Sequence, residues 1–483
     1  MNITGLAFVL YLFVVLGVGI YTVRVTKNIK DFALGGHRLG PWVIAFSERA
    51  SGESAWLIIG LPGAALVAGL LELWTVLGCI TGIILSWIVI ARPVRRATSK
   101  YNALTLPELF SNIYQDDSGV IRGLSSLIIT FFFTFYVAAQ FSGAGKVLNV
   151  TFGLTPIQGM TLGAVIIVFY TMLGGFLAVA WTDLIQGIIM IGTLVILPIV
   201  GWMELAGSTN DVTVWDWSTL YGGRVGTQAL IGAVGGLSWG LGYMGQPHLI
   251  ARFMAIDKSE NVRISRRIAT AWAIPAFFGS LLIGLVGAKL ITHGLLRVDG
   301  QLLTSIDQLS DPEKLMPAMA NFLLHPWLAG FLISGAIAAM MSTADSQLLV
   351  STTVLTEDVF GRIYRRAQRK ISLLTLGRIL TIIIGVIAFY LAWQSKDLVF
   401  EMVSYAWSGL GASFGPALLL TLWWKRTTRK GVIAGMITGA VSTILWANID
   451  SLRALVTERF VSFVLAFLAV VLVSLFERRK KNG

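Results

Sequence analysis

Polar and charged side chains are concentrated in a few short stretches of an otherwise apolar chain. The stretch SERASGESAW, residues 47–56, has three charged groups and three serine hydroxyls between the apolar runs PWVIAF and LIIGLPGAALVAGLL. Gly52 weakens a helix at this point, and the hydroxyls of Ser51 and Ser54 can satisfy backbone groups that a break releases. We therefore predict a locally unwound helix whose free oxygens and charges can bind an ion or a solute.

A second stretch, LSWGLGYMGQPH at residues 237–248, combines three glycines with Pro247 in one apolar run. This combination predicts another discontinuous helix. Close helix packing would explain the glycines alone, but it leaves Trp239, Tyr243 and Gln246 unexplained. Their position beside a helix break favours a role in lining a site for a small amphipathic solute.

Hydroxyl groups recur in a third stretch, GAIAAMMSTADSQLLVSTTVLTEDVF at residues 335–360. Ser342 and Thr343 are adjacent, Ser346 follows one turn later and Asp345 lies between, so several oxygens can share one helix face. A hard cation such as sodium binds about five or six oxygen ligands, which hydroxyls and freed carbonyls supply. Serine and threonine also bond to carbonyls of their own helix, but that role does not account for Asp345.

The fourth stretch, AVAWTDLIQG at residues 178–187, contains Asp183. Two interpretations stay open for this carboxylate. It is either the N-cap of a helix that begins there or a group on an ion pathway.

The elements that position these stretches are membrane spans. The 483 residues are 55% hydrophobic and 13% charged, with a mean hydropathy of +0.77, whereas soluble domains have a more polar balance. A run of about 20 apolar residues crosses roughly 30 Å of hydrocarbon as a helix. Thirteen predicted spans lie, to within several residues, near 4–23, 41–69, 73–94, 122–148, 158–178, 183–203, 228–250, 269–293, 328–356, 372–394, 399–424, 430–449 and 455–476.

Loop charges orient the chain, because lysine and arginine accumulate on the cytoplasmic side. With the N-terminus outside and the C-terminus inside, most of the 37 basic residues fall in the inner segments 24–38, 92–122, 252–267, 362–378, 425–430 and 478–481. The net charge of +12 is then explained by anionic membrane lipid, without a nucleic-acid partner. We expect a multi-pass protein of the inner or plasma membrane, with one transmembrane domain over residues 1–483.

Several kinds of chemistry are excluded by the residues present. The single cysteine, Cys79, allows no intrachain disulfide and no cysteine metal cluster. The sequence has no Walker-type phosphate loop and no evident nucleophile–base pair, so neither ATP-driven transport nor enzymatic catalysis is expected. We infer no cofactor other than a coupling ion and no obligate protein partner.

The order of the spans predicts an internal symmetry. Spans two to six, about residues 41–203, and spans seven to eleven, about 228–424, form two groups of five, and an odd number of crossings inverts the second group. Each group begins with a predicted discontinuous helix, an arrangement that marks a substrate and ion site at the membrane midplane. The helices near 4–23, 430–449 and 455–476 are peripheral. We therefore predict an all-α integral membrane fold with a five-plus-five inverted repeat.

Long blocks of sequence carry a family resemblance. They are SAWLIIGLPGA (54–64), YNALTLPELF (101–110), GGFLAVAWTDLIQG (174–187), WGLGYMGQPHLIARFMA (239–255) and AAMMSTADSQLLVSTTVLTED (338–358). In these blocks the chain resembles the sodium/solute symporter family, and within it the sodium/proline symporters, over nearly its whole length. The resemblance implies a LeuT-like fold with one leading and two trailing helices, and transport by alternating access.

The resemblance also implies roles for individual residues. The family's sodium site would use the backbone carbonyls of Ala50, Glu53 and Ala339 with the hydroxyls of Ser342 and Thr343. A second sodium site, known from sialic acid relatives, would use Asp183, Ser342, Asp345 and Ser346, with Asp345 in place of a serine. The substrate pocket of the proline symporters maps onto Ser54, Ala55, Tyr136, Trp239, Tyr243 and Pro247.

The chain departs from this pattern in the first stretch. Proline symporters have an aspartate important for sodium coupling at the position of Gly52, and Glu48, Arg49 and Glu53 are foreign to their pattern. Three interpretations stay open. Arg49 and Glu53, four residues apart, neutralise each other; or Glu53 binds the cation or a proton; or Arg49 binds a substrate carboxylate.

Together these observations predict a sodium-coupled symporter that imports a small solute, with L-proline as the leading candidate. The alternatives are coupling to protons through Glu53 or Asp345, and transport of another small carboxylate or amino acid. A solute sensor that does not transport is the alternative from another class.

Overall fold

The computed structural model of the protein describes residues 3–23, 34–37, 39–298, 300–361 and 373–482. Within these ranges the chain is almost entirely helical, as predicted. The described residues also contain a short antiparallel hairpin of β1 (Leu296–Val298) and β2 (Gln301–Leu303), which the sequence reasoning missed. The predicted inner segments 24–38 and 362–378 lie for the most part outside the described residues.

The first half of the chain contains the leading helix and the first predicted group of spans. Its helices are α1 (Ile3–Val23), α2 (Pro41–Gly52), α3 (Leu61–Ala68), α4 (Leu73–Ser86), α5 (Arg92–Tyr101), α6 (Leu106–Ile113), α7 (Val120–Phe152), α8 (Pro156–Gly174) and α9 (Phe176–Ser208). A π-helical turn at Trp56–Gly60 leads into α3, and another at Trp87–Ala91 joins α4 to α5.

The second half contains the second predicted group and the trailing helices. Its helices are α10 (Thr227–Leu237), α11 (Trp239–Gly242), α12 (Pro247–Ala255), α13 (Val262–Thr292), α14 (Leu315–Leu323), α15 (Pro326–Thr353), α16 (Leu373–Gln394), α17 (Val399–Trp423), α18 (Arg429–Asn448), α19 (Asp450–Arg453) and α20 (Glu458–Asn482). The trailing helices α18 and α20 pack against each other and against α17.

Eight helical stretches of the described residues are each long and apolar enough to cross a membrane. This finding agrees with a multi-pass membrane protein. The number of thirteen spans and the residue limits of the two repeats stay predictions.

Both predicted helix breaks are present. α2 ends at Gly52, Glu53 adopts non-helical angles (φ −108°, ψ 72°), and helical structure resumes by Trp56. In the second break, α11 ends at Gly242 and α12 begins at Pro247. Proline is suited to the first position of a helix because its missing N–H needs no partner there. A hydrogen bond from the Tyr243 hydroxyl to Glu53 joins the two breaks.

Glycines allow α4 to contact the second interrupted helix backbone to backbone. A Cβ atom on Gly82 would lie 2.3 Å from the carbonyl oxygen of Gly240, and one on Gly78 would lie 2.6 Å from that of Leu237. A larger residue does not fit at either position without a shift of the backbone. Glycine in this stretch therefore serves close packing as well as the break.

The N-cap interpretation of Asp183 is wrong. α9 begins earlier than predicted, at Phe176, after Gly175 with a φ of 85° that favours glycine. Asp183 therefore lies about two turns inside α9, where it is completely buried. Because α9 packs against both α2 and α15, its carboxylate faces the first interrupted helix.

Candidate functional site

Hydroxyl groups of α15 contact the free carbonyl end of α2. Ser342 Oγ donates to the carbonyl oxygens of Ala50 at 2.8 Å and of Ala339 at 3.1 Å. Thr343 Oγ1 donates to the carbonyl oxygen of Ser51 at 3.0 Å and lies 3.5 Å from that of Ala50. Ala50 and Ser51 are in the last turn of α2, where the helix does not continue to supply N–H groups for their carbonyls, so these carbonyls accept the bonds from α15. We call Ala50, Ser51, Ala339, Ser342 and Thr343 the carbonyl–hydroxyl cluster.

The carbonyl–hydroxyl cluster offers oxygen ligands of the kind that a hard cation prefers. All five residues are completely buried, and none of their side chains is charged. Carbonyls always accept, and hydroxyls can turn their hydrogens away to present lone pairs. The cluster can therefore surround a monovalent cation from two helices at once without excess negative charge. The backbone of Glu53, the remaining predicted ligand, lies at the helix break, while its side chain turns toward Arg49.

The charges of the first stretch form a buried network. Arg49 donates through Nη1 to Glu53 Oε1 at 2.6 Å and through Nε to Glu48 Oε2 at 2.6 Å. Tyr243 donates to the two Glu53 oxygens at 2.9 and 3.1 Å, and Trp87 Nε1 donates to Glu48 at 3.1 Å. The pairing of Arg49 with Glu53 agrees with the first of the three interpretations. Glu48 is a second partner that the sequence reasoning missed, so carboxylates engage both edges of the guanidinium.

Aromatic rings line the region beside the breaks. Trp239 stacks on Trp56 with ring centroids 4.7 Å apart, and Phe400 lies 5.0 Å from Trp239. Tyr243 packs edge-on against Trp407 at 4.7 Å, and Trp407 Nε1 donates to the Trp239 carbonyl oxygen at 3.0 Å. We call these five residues the aromatic wall. Sequence reasoning found only Trp239 and Tyr243. The sequence could have indicated two of the others. Trp56 ends the first polar stretch, and Trp407 stands among small residues in AWSGLGAS.

The other predicted pocket residues occupy two places. Ser54 Oγ lies 3.4 Å from the Tyr136 hydroxyl, and the Ala55 backbone N–H donates to Gln140 Oε1 at 3.0 Å. Gln140 is a contact that the sequence reasoning missed. Pro247 instead borders a small cavity that is also lined by residues of α6, α7, α9, α12 and α15. Ser54, Ala55 and Tyr136 therefore lie beside the first break, whereas Pro247 borders a different cavity, and the pocket itself stays a prediction.

An arginine lies among the residues assigned to the second sodium site. Arg252 Nη2 donates to Asp183 Oδ2 at 3.2 Å, Ser51 Oγ at 2.8 Å and Ser346 Oγ at 2.5 Å. Its Nε donates to Ser47 Oγ at 3.2 Å, and Ser47 donates to Asp183 at 2.6 Å. We call Ser47, Ser51, Asp183, Arg252 and Ser346 the arginine cluster. The assignment of Arg252 to a cytoplasmic loop is wrong, because α12 continues beyond it and buries the side chain completely.

Asp345 borders the arginine cluster. Its Oδ1 accepts from Ser346 Oγ at 3.2 Å, and the residue is completely buried. Within the described part of the chain, Asp345 Oδ2 has no hydrogen-bond partner. The structure thus brings Asp183, Asp345 and Ser346 close together, and the Arg252 guanidinium binds Asp183 and Ser346.

Two cavities contact opposite halves of the second interrupted helix. A cavity of about 970 Å³ is bordered by α10 and by Trp239 and Phe400 of the aromatic wall, with Glu72, Glu458 and Arg459 among its polar residues. The small cavity beside Pro247 contacts α12. Interrupted helices with buried oxygens and aromatic rings at their breaks are typical of secondary active transporters.

Sequence comparison gives the family. The chain matches the model of the sodium:solute symporter family over residues 32–439. It is 38% identical to the high-affinity proline transporter PutP of Bacillus subtilis, over 95% of this chain and 95% of that one. It is 35% identical to the sodium/proline symporter of Escherichia coli, over 97% of this chain and 92% of that one. The protein belongs to the sodium:solute symporter family.

Solved structures agree with the predicted fold. A Na⁺-coupled sialic acid symporter in a substrate-bound outward-open state is similar, with a TM-score of 0.72 and 17% identity over 99% of this chain and 98% of that one. MhsT in complex with L-phenylalanine is similar, with a TM-score of 0.53 and 15% identity over 90% and 97% of the two chains. The predicted LeuT-like membrane fold is confirmed. Family membership makes the protein a transporter and not an enzyme, with sodium as its coupling ion.

Proposed function

We propose that this protein imports L-proline together with sodium by alternating access. The observation on which the proposal rests is the carbonyl–hydroxyl cluster, where one sodium ion would be bound by α2 and α15 together. The relatives support the choice of solute, because they are a high-affinity proline transporter and sodium/proline symporters.

Sodium in the carbonyl–hydroxyl cluster links helices of the two predicted repeats. In its absence the same oxygens are joined only by hydrogen bonds, so the ion favours the state in which α2 and α15 stay together. That state fixes the break of α2, where Ser54 and Ala55 face the solute. Release of sodium to the cytoplasm removes the link and lets the helices separate, and the solute leaves.

The aromatic wall and the hydroxyls beside it suit a small amphipathic solute. The pyrrolidine ring of proline packs on Trp239 and Tyr243, while its charged groups bind to Ser54, Tyr136 and backbone groups at the break. Separation of the stacked Trp239 and Trp56 rings opens a path to the large cavity. We assign Arg49 to the buried ion network rather than to the solute carboxylate, because two carboxylates already engage it.

The orientation follows from the distribution of basic residues. We place the N-terminus outside and the C-terminus in the cytoplasm of an inner or plasma membrane. The sodium gradient and the membrane potential then drive import. Membrane lipid is the only further partner that we propose.

Uptake of radioactive L-proline into proteoliposomes tests the proposal. The purified protein is given an inward sodium gradient, an inward proton gradient or neither, with protein-free liposomes as the control. We expect uptake above the control only with the sodium gradient. Uptake driven by protons alone would refute sodium as the coupling ion, and sodium binding without proline uptake under any gradient would refute proline as the solute.

A further inference from the structure

The cavity of about 970 Å³ contains an arginine that touches the aromatic wall. Arg459, in the first turn of α20, lines this cavity, and its guanidinium carbon lies 4.7 Å from the centroid of the Trp239 ring. Trp239 also lines the cavity, and it stacks on Trp56, which directly follows the first helix break. Two stacked rings therefore connect this arginine to the first break.

The positive charge of Arg459 is only partly compensated by its neighbours. Nη1 donates to the Ser404 hydroxyl and Nη2 to the Gly235 carbonyl oxygen at 3.3 Å, and both acceptors are uncharged. Glu458 Oε1 lies 3.6 Å from Nη1, beyond hydrogen-bond distance, and accepts instead from Ser404 at 2.9 Å and from Ser408 at 3.2 Å. A guanidinium has five N–H donors in a planar fork that matches a carboxylate. Arg459 therefore keeps donors for an anionic group.

The cavity is accessible from the side that the proposed orientation places outside. It is lined by the first turns of α10, α17 and α20, and all three helices begin on the outer side when the N-terminus is outside. Its volume is within the range of about 300–1,000 Å³ that is typical of small-molecule sites. The Arg459 side chain is 15% exposed, so a solute can reach a guanidinium that is already largely shielded from water.

The charges around the cavity suit a zwitterion. The acidic side chains of the lining are Glu72, Asp397, Glu401 and Glu458, and the basic ones are Arg224, Arg453 and Arg459. Glu72 interacts electrostatically with Arg459, so opposite charges are close to each other beside the aromatic wall. An amino acid presents a carboxylate and an ammonium group on one carbon, and its apolar part can pack on the rings of Trp239 and Phe400. A simple anion or cation would use only one half of this lining.

We propose that Arg459 forms an outer binding site for the carboxylate of a zwitterionic amino acid, which the solute occupies before it passes the aromatic wall. Trp239 and Trp56 separate this outer site from the pocket predicted at the first break. The carbonyl–hydroxyl cluster contributes no group to the lining, so binding at the outer site does not require sodium. The choice of proline as occupant rests on the proposed function, to which the outer site adds a first binding step.

Saturation-transfer difference NMR of L-proline with the purified full chain in choline buffer tests the proposal, because this method detects weak binding. The natural protein is compared with Arg459→Gln and with the matched control Arg453→Gln, which removes an exposed arginine of the same cavity. We expect the dissociation constant of proline to rise about tenfold in Arg459→Gln, since a hydrogen bond between charged groups is lost. We expect it to be unchanged in Arg453→Gln. Equal proline affinity of the natural protein and a folded Arg459→Gln overturns the proposal.

L-Proline methyl ester keeps the test decisive if Arg459→Gln does not fold. The ester has the ring and the amine of proline but no carboxylate, so the natural protein should bind it about tenfold more weakly than proline in choline buffer. Equal binding of the two compounds overturns the outer site. Sodium-driven proline uptake by the same preparations separates the two proposals. Uptake without proline binding in choline refutes only the outer site, whereas binding in choline without uptake under any gradient refutes only the symport.

Discussion

Removal of the Ser342 hydroxyl perturbs the carbonyl–hydroxyl cluster at its centre. This oxygen lies 2.8 Å from the Ala50 carbonyl and 3.1 Å from the Ala339 carbonyl, between α2 and α15. Ser342→Ala removes one proposed ion ligand and leaves Ala50 with the longer contact to Thr343. Loss of a buried polar partner costs about 1–3 kcal/mol. A loss of that size in ion binding raises the sodium concentration for half-maximal uptake by about 5-fold to 150-fold.

Ser334→Ala is the matched control. Ser334 is on the same helix and completely buried, but its hydroxyl donates at 2.7 Å to the carbonyl of Gly330 within that helix. Proline uptake is measured against sodium concentration for both variants at one proline concentration. We expect a higher sodium requirement for Ser342→Ala and an unchanged one for Ser334→Ala. Indistinguishable sodium dependence in the two variants would refute the ion site.

Further variants test the aromatic wall and the buried ion network. Trp239→Ala should raise the proline concentration for half-maximal uptake about tenfold, because an aromatic contact contributes roughly 0.5–1.5 kcal/mol beyond its buried area; unchanged proline affinity would assign this ring to packing alone. Glu53→Gln should lower thermal stability, because breaking a buried ion pair costs about 3–5 kcal/mol. The variant should still take up proline with sodium. Proline uptake that no longer depends on sodium would make Glu53 a coupling group. Gly242→Ala should abolish uptake, since its Cβ would lie 1.9 Å from Trp407 Nε1, whereas Gly235→Ala, with its nearest contact at 3.6 Å, should transport normally. Equal activity of the two glycine variants would contradict this placement of Trp407.

The helix breaks could be predicted from the sequence because their causes are local. Gly52 and Pro247 weaken or begin a helix wherever they occur inside an apolar run. The helical spacing of Ser342 and Thr343 likewise places their hydroxyls close together before any tertiary contact is known. The same short-range reasoning anticipated the ion pair of Arg49 and Glu53, which are one turn apart.

Arg252 could not be placed from the sequence because its burial depends on distant partners. A basic residue at the inner end of a span is ordinarily assigned to the cytoplasmic loop. Burial becomes favourable here because Asp183 on α9 and Ser346 on α15 provide the charge and the acceptors. Trp407 stands out among small residues in the sequence, but its role in the site could not be assigned there, since its contact with Trp239 joins residues of different spans.

Cryo-electron microscopy of the protein in sodium buffer and in choline buffer tests the central claim most directly. We predict ion density within the carbonyl–hydroxyl cluster in sodium only, bounded by oxygens of Ala50, Ser342 and Thr343, with Arg252 paired to Asp183 in both. The sodium buffer is used at a saturating concentration. Ion density beside Asp183 instead of in the cluster, or a cluster that is identical in sodium and in choline, would contradict a sodium ion that links α2 to α15.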